Sequence, residues 1–186
     1  QELMQSQLQV LKYGHKSTAK EIMACLFVSG RRECELLNGK SLFEPVDGQP
    51  FHIRFKGVLK KRHDKMKDNT EESEYRTVPL LCEASLFLYA FKRLRSRQQT
   101  DILNQQLSNT QVGQRYASQL SYAQKSVFPM LTKVHDLRGV YARLVDIMFI
   151  HQSAFPAVCM FCLSHDVIED SLHYSSIRII SNGNLI

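Results

Sequence analysis

The chain has 186 residues and a mass of 21.5 kDa, with 44% hydrophobic and 23% charged residues. A chain of this size buries roughly 70% of its unfolded surface, so a packed core is expected, and disorder, collagen and coiled coil are excluded for the chain as a whole. Lys and Arg number 24 against 18 Asp and Glu, a net charge of +6 that favours a polyanionic partner without requiring one.

The most apolar run, residues 154–163, is too short to span a bilayer. Residues 1–16 hold no apolar run behind a basic start, so no secretory signal is expected. The chain opens on Gln1, and we expect one domain, residues 1–186, cut from a longer protein. Five cysteines form an odd set without framework spacing, which fits a reducing compartment. Cys159 and Cys162 make a lone CxxC in an apolar run, with Cys25, Cys34 and Cys82 scattered singly. Buried core thiols explain them better than a zinc site, which needs four ligands; no metal and no cofactor is expected.

In chain order, Leu3, Met4, Leu8 and Leu11 recur at helical spacing over residues 2–13, and Gly14 ends that helix. A second helix runs from Ser17 or Thr18 to about Val28, with Glu21 in capping-box position to Thr18. Ser29-Gly30 breaks it. Residues 31–37 predict a third short helix, closed by Asn38-Gly39. Residues 51–55 (FHIRF) alternate apolar and polar as a strand does, and residues 75–80 (YRTVPL) read as its partner. Between them lies a long polar loop with Lys56, Lys60, Lys61, Arg62, Lys65 and Lys67 first and three glutamates last. Loops of that length are uncommon and usually functional or mobile, and a solvated loop that neutralises itself has the same composition.

From Glu83 onward helices are expected at 83–97, about 101–108, about 111–127 and 135–150. The last carries Leu137, Val140, Tyr141, Leu144, Ile147 and Met148 on one face. Pro156 opens another helix to about Leu163, followed by a short one near 167–174 and a possible strand at 176–180. The fold class is therefore mainly α with a small antiparallel β-sheet (α+β).

Four segments bear charge or nucleophiles in a telling order. Gly30-Arg31-Arg32 sets a guanidinium at a helix start, with Glu35 one turn below to hold it. Lys60 lies at the turn of the basic hairpin. His135 and Arg138, at i and i+3, share a helix face. His165 precedes Tyr174 by nine residues. A single His or a His-x-x-Arg pair is weak evidence; the order Arg, Lys, His-x-x-Arg, His, Tyr carries the weight.

That order resembles the catalytic domain of the tyrosine recombinase and type IB topoisomerase superfamily, from Thr18 to about Ile179. Residues 28–36 (VSGRRECEL), 135–142 (HDLRGVYA) and 163–174 (LSHDVIEDSLHY) look like its three boxes. Within the superfamily, residues 29–43 and 55–62 (FKGVLKKR) are most similar to the protelomerases, or telomere resolvases. The resemblance implies Arg32 and Arg138 as catalytic arginines, His135 and His165 at the intermediate positions, and Tyr174 as nucleophile. It implies Lys60 as the hairpin lysine, with Lys56 and Lys61 close enough to compete for the role. Arg31, Lys56, Lys61 and Arg62 are expected to contact DNA, Arg31 being either structural or a backbone contact.

The activity so implied is cleavage and rejoining of double-stranded DNA through a 3′-phosphotyrosine, by two protomers on a palindromic site, leaving covalently closed hairpin telomeres. A site-specific recombinase or integrase shares the chemistry and differs in strand routing; a non-catalytic DNA-binding module is the third reading. The implied setting is the cytoplasm of a cell hosting a phage, plasmid or virus, with no membrane partner. An N-terminal core-binding domain outside these residues is also implied.

Overall fold

The computed structural model describes residues 2–57, 75–98, 107–150, 155–163, 174, 180–181 and 184–185. Helix α1 (Glu2–Tyr13) leads through Gly14 into α2 (Thr18–Ser29). Helix α2 is apolar nearly all round, and such a helix belongs inside. Ala19 and every residue from Glu21 to Ser29 are buried. It packs on α1, α3 (Glu33–Leu37), α4 (Ala84–Gln98), α5 (Asn109–Val127) and α6 (Leu137–Val145). A last helix, α7 (Phe155–Leu163), lies against α6.

Three strands, β1 (Leu42–Pro45), β2 (His52–Lys56) and β3 (Tyr75–Pro79), form an antiparallel sheet in that order. Ile53 and Phe55 of β2 and Val78 of β3 face the core. Phe43, opposite Phe55 in register, stacks on it at 4.8 Å and meets Phe87 and Phe91 of α4 edge-on. That aromatic cluster fixes the sheet to the helices. A second, two-stranded pair joins β4 (Ile180–Ser181) and β5 (Asn184–Leu185).

The mainly helical fold with a small antiparallel sheet matches expectation, and several details differ. Strand β1 has no counterpart in the sequence reading. Thr18 and Glu21 form no capping box: the N-cap is Ser17, without a side-chain cap. Glu21 is buried instead, accepting from the His15 amide at 2.7 Å and pairing with Arg93 and Arg97 of α4 at 3.3 and 3.1 Å. The single helix expected over 135–150 is a 3-10 turn (Val134–Asp136), then α6, then a π turn (Asp146–Ile150). Leu137 and Tyr141 are buried as expected, whereas Met148, beyond α6 in the π turn, is 43% exposed. Residues 107–108 precede α5 rather than ending a helix, and Ser108 forms a capping box with Gln111. The rest of the expected 101–108 helix, the hairpin tip, the 167–173 segment and 176–179 lie outside the described residues. Cys159 and Cys162 are free and fully buried, and burial pushes both thiols up to about 12. No helix among the described residues is long and apolar enough to cross a membrane.

Candidate active site

Helix α2 ends at Gly30, whose φ of +62° lies in the left-handed region and whose N–H donates to the Leu26 carbonyl at 2.9 Å. A Cβ there would sit 2.1 Å from Cδ1 of Tyr141. That ring is held, because its hydroxyl donates to the Pro79 carbonyl at 2.6 Å. Both backbone conformation and space therefore require glycine. The turn delivers two adjacent arginines to different environments.

Arg32 keeps 15% of its side chain exposed. Its Nη1 donates to Glu35 Oε1 at 2.9 Å, and its backbone N–H donates to Glu35 Oε2 at 2.9 Å. Arg31 is 1% exposed. Its Nε donates to the Ser29 carbonyl at 3.2 Å and its Nη2 to the Cys162 carbonyl, while the guanidinium carbon lies 5.6 Å from the Phe55 ring centroid.

Arg138, in the first turn of α6, is also buried. Nη1 donates to the Gly30 carbonyl and Nη2 to the Leu163 carbonyl, both at 2.7 Å. Nη1 is 3.8 Å from Glu35 Oε2. Three guanidiniums thus converge on one carboxylate. Burial alone would raise Glu35, but Arg31, Arg138 and Arg32 together outweigh it and hold the carboxyl below its ordinary value. Burial, followed by Arg31 and Arg32, pushes Arg138 down to about 10, so it remains a cation at neutral pH.

Tyr174 completes the cluster. It is buried, and its Oη lies 2.7 Å from His135 Nε2. Burial raises the phenol above its ordinary value, while the charge and hydrogen bond of Arg138 and the charge of Arg32 pull against that rise. His135 has an exposed edge, yet packing on its protein side, then the Arg138 charge, lowers its pKa. Both directions favour a neutral phenol beside a neutral imidazole; in the tautomer with its proton on Nδ1, the imidazole accepts from the phenol through Nε2.

The structure thus brings together Arg32, His135, Arg138 and Tyr174. Arg31 lies within the protein, in contact with carbonyls and Phe55. Lys56, at the end of β2, is half-buried with its Nζ 5.6 Å from the Tyr75 ring centroid. Lys60, Lys61, Arg62 and His165 lie outside the described residues. Sequence reasoning anticipated the Arg32–Glu35 contact. It missed the carbonyls that hold Arg31 and Arg138, because a backbone oxygen carries no residue signature. It also missed Tyr141 as the wall behind Gly30. A phenol and its imidazole acceptor beside a surplus of buried cations suit attack on an anionic ester.

The family description "Telomere resolvase ResT/TelK catalytic domain" matches residues 1–167. The chain belongs to the telomere resolvase catalytic domain family. Solved structures share this fold. Protelomerase TelA covalently complexed with substrate DNA superposes with a TM-score of 0.72 at 20% identity. A TelA variant complexed with a DNA hairpin product gives 0.71 at 19%. Both alignments cover 93% of this chain and 56% of TelA. Protelomerase TelK complexed with substrate DNA gives 0.66 at 23%, covering 92% of this chain and 35% of TelK. This telomere resolvase domain therefore spans about half the length of TelA. No curated protein matches the sequence.

Proposed function

We propose that this domain cleaves and rejoins double-stranded DNA through a 3′-phosphotyrosine and forms covalently closed hairpin ends. The observation that carries the reading is the 2.7 Å contact between Tyr174 Oη and His135 Nε2, beside Arg138. His135 takes the phenol proton as Tyr174 Oη attacks the phosphorus. Arg32 and Arg138 neutralise the non-bridging oxygens as charge builds; losing one such donor typically costs on the order of 10²–10³ in rate. His165 adds a further donor to those oxygens. The 5′ oxygen leaves with a proton from Lys60 on the basic hairpin, a general-acid role typically worth roughly 10²–10⁴. The P–O5′ bond breaks as the P–Oη bond forms, so one ester linkage replaces another and the phosphotyrosine keeps the energy needed for rejoining. Rejoining is the reverse: a 5′ hydroxyl attacks the phosphorus, and Tyr174 Oη leaves and regains its proton.

Family membership favours hairpin formation over exchange between two duplexes. Two protomers on a palindrome, each cutting one strand, give two hairpins when each strand folds back. A core-binding domain elsewhere in the protein closes the clamp, with Lys56, Lys61 and Arg62 on the backbone. The setting is the cytoplasm of a cell hosting a linear phage, plasmid or viral genome. The test is the product. A pool of palindromic duplexes, treated and then denatured and cooled, is expected to yield fast-renaturing hairpins. Four-ended junctions in their place would assign the domain to strand exchange.

A further inference from the structure

We infer that Arg31 is a positioning residue: it ties the last turn of α7 to the Gly30 turn, and so sets the nucleophile-bearing segment relative to Arg32. This rests on the function proposed above. The last four carbonyls of a helix have no partner within it. At the end of α7 the Cys162 carbonyl accepts from Arg31 Nη2 and the Leu163 carbonyl accepts from Arg138 Nη2 at 2.7 Å. Two arginines from separate segments thus cap consecutive carbonyls, where the helix dipole also favours cations. The chain that continues from Leu163 carries His165 and Tyr174.

Arg138 acts on the phenol by charge and hydrogen bond, whereas Arg31 contacts backbone carbonyls and the Phe55 ring. It is 1% exposed, so no DNA phosphate reaches it without rearrangement. Its Nε is fixed to the Ser29 carbonyl, and its face packs on Phe55 of β2, five residues before Lys60. One guanidinium therefore touches the turn carrying Arg32, the strand feeding the hairpin and the helix feeding the nucleophile. A planar fork makes these contacts at fixed angles, which a lysine ammonium does not.

The test compares wild type with Arg31→Met, which keeps the volume against Phe55 and removes the donors, and with Arg31→Lys, which keeps the charge. Hydrogen exchange of the peptide spanning 158–174 is expected to quicken in Arg31→Met while that of 19–28 stays unchanged. DNA affinity is expected to stay within about twofold. Single-turnover covalent cleavage at saturating DNA is expected to fall about 10- to 100-fold, the scale of a displacement near 1 Å. The deficit is expected to shrink as pH rises, because a phenol displaced from His135 must lose its proton to hydroxide. A DNA substrate with a 5′-bridging sulfur, whose leaving group needs no proton, is expected to rescue Lys60→Ala and not Arg31→Met. Weaker DNA binding with an unchanged saturating rate would overturn the inference, as would unchanged exchange at 158–174. If Arg31→Met melts early, Arg31→Lys carries the same comparison. If wild type itself forms no adduct, the functional reading fails, and the exchange result still judges the placement of Arg31.

Discussion

The hydroxyl of Tyr174 lies 2.7 Å from Nε2 of His135. Their pKa directions diverge, the phenol raised by burial and the imidazole lowered by packing and Arg138. A group kept neutral at each end of a short hydrogen bond is arranged for one proton transfer.

Under the proposed mechanism this pair sets the pH dependence of cleavage. The imidazole accepts a proton only when neutral, so activity falls as pH drops through the folded pKa of His135, below its ordinary 6.5. The phenol ionises by itself only above its ordinary 10. A plateau across neutral pH is expected for wild type. His135→Gln is expected to lower the plateau by about 10²–10⁴ and leave a rate that climbs with pH towards the phenol's own ionisation. Single-turnover rates from pH 5 to 10 measure both; a plateau unchanged in His135→Gln would remove the base.

Glu35 balances three buried or half-buried guanidiniums. Glu35→Gln leaves Arg31, Arg138 and Arg32 uncompensated, a change expected to cost about 3–5 kcal/mol. The sign of its pH effect follows from its depressed folded pKa. Its contribution is complete above the ordinary value of 4.5 and is lost as pH falls through the lower folded value. Denaturant melts from pH 7 down to 3 are expected to show that loss in wild type and a smaller one in Glu35→Gln.

Gly30 and Gly48 separate backbone strain from crowding. Both have positive φ, +62° and +70°, but only Gly30 faces a ring; nothing lies within 4 Å of a Cβ at Gly48. Gly48→Ala is expected to cost about 1 kcal/mol from conformation alone. Gly30→Ala is expected to cost about 2–4 kcal/mol, since Tyr141 must also move from its bond to Pro79. Thermal melts of the two variants test this; equal losses would mean the ring yields freely.

DNA binding is expected to weaken steeply with salt, because lysine–phosphate contacts release counterions. Lys61→Ala and Arg62→Ala are each expected to lower the log–log salt slope by about 1, with little change in cleavage at saturating DNA. Lys60→Ala is expected to lower the cleavage rate far more than affinity. Titrations at several salt concentrations with matched single-turnover assays distinguish the roles.

The sequence carried the elements whose signals are local. Gly14 and Gly30 ended α1 and α2 near where the structure ends them, and the alternation in residues 51–55 gave β2. The i, i+3 spacing placed His135 and Arg138 in one cluster even though His135 stands in a 3-10 turn. What stayed hidden depends on distant partners. Strand β1 is four residues long and owes its conformation to pairing with β2, Phe43 opposite Phe55. Glu21 was drawn away from a capping role by Arg93 and Arg97, more than 70 residues along the chain. Arg31 and Arg32 are identical neighbours in sequence, and only the fold sends one to the carbonyl of Cys162 and the other to the edge of the site.

The central claim is that Tyr174 is the nucleophile. The most direct measurement is a covalent trap: palindromic duplexes nicked so that the cleaved piece diffuses away, incubated with wild type or Tyr174→Phe and run on denaturing gels. A protein–DNA adduct with wild type and none with Tyr174→Phe is the predicted result. An adduct of equal yield with Tyr174→Phe, or none with wild type while the duplex is bound, would contradict it.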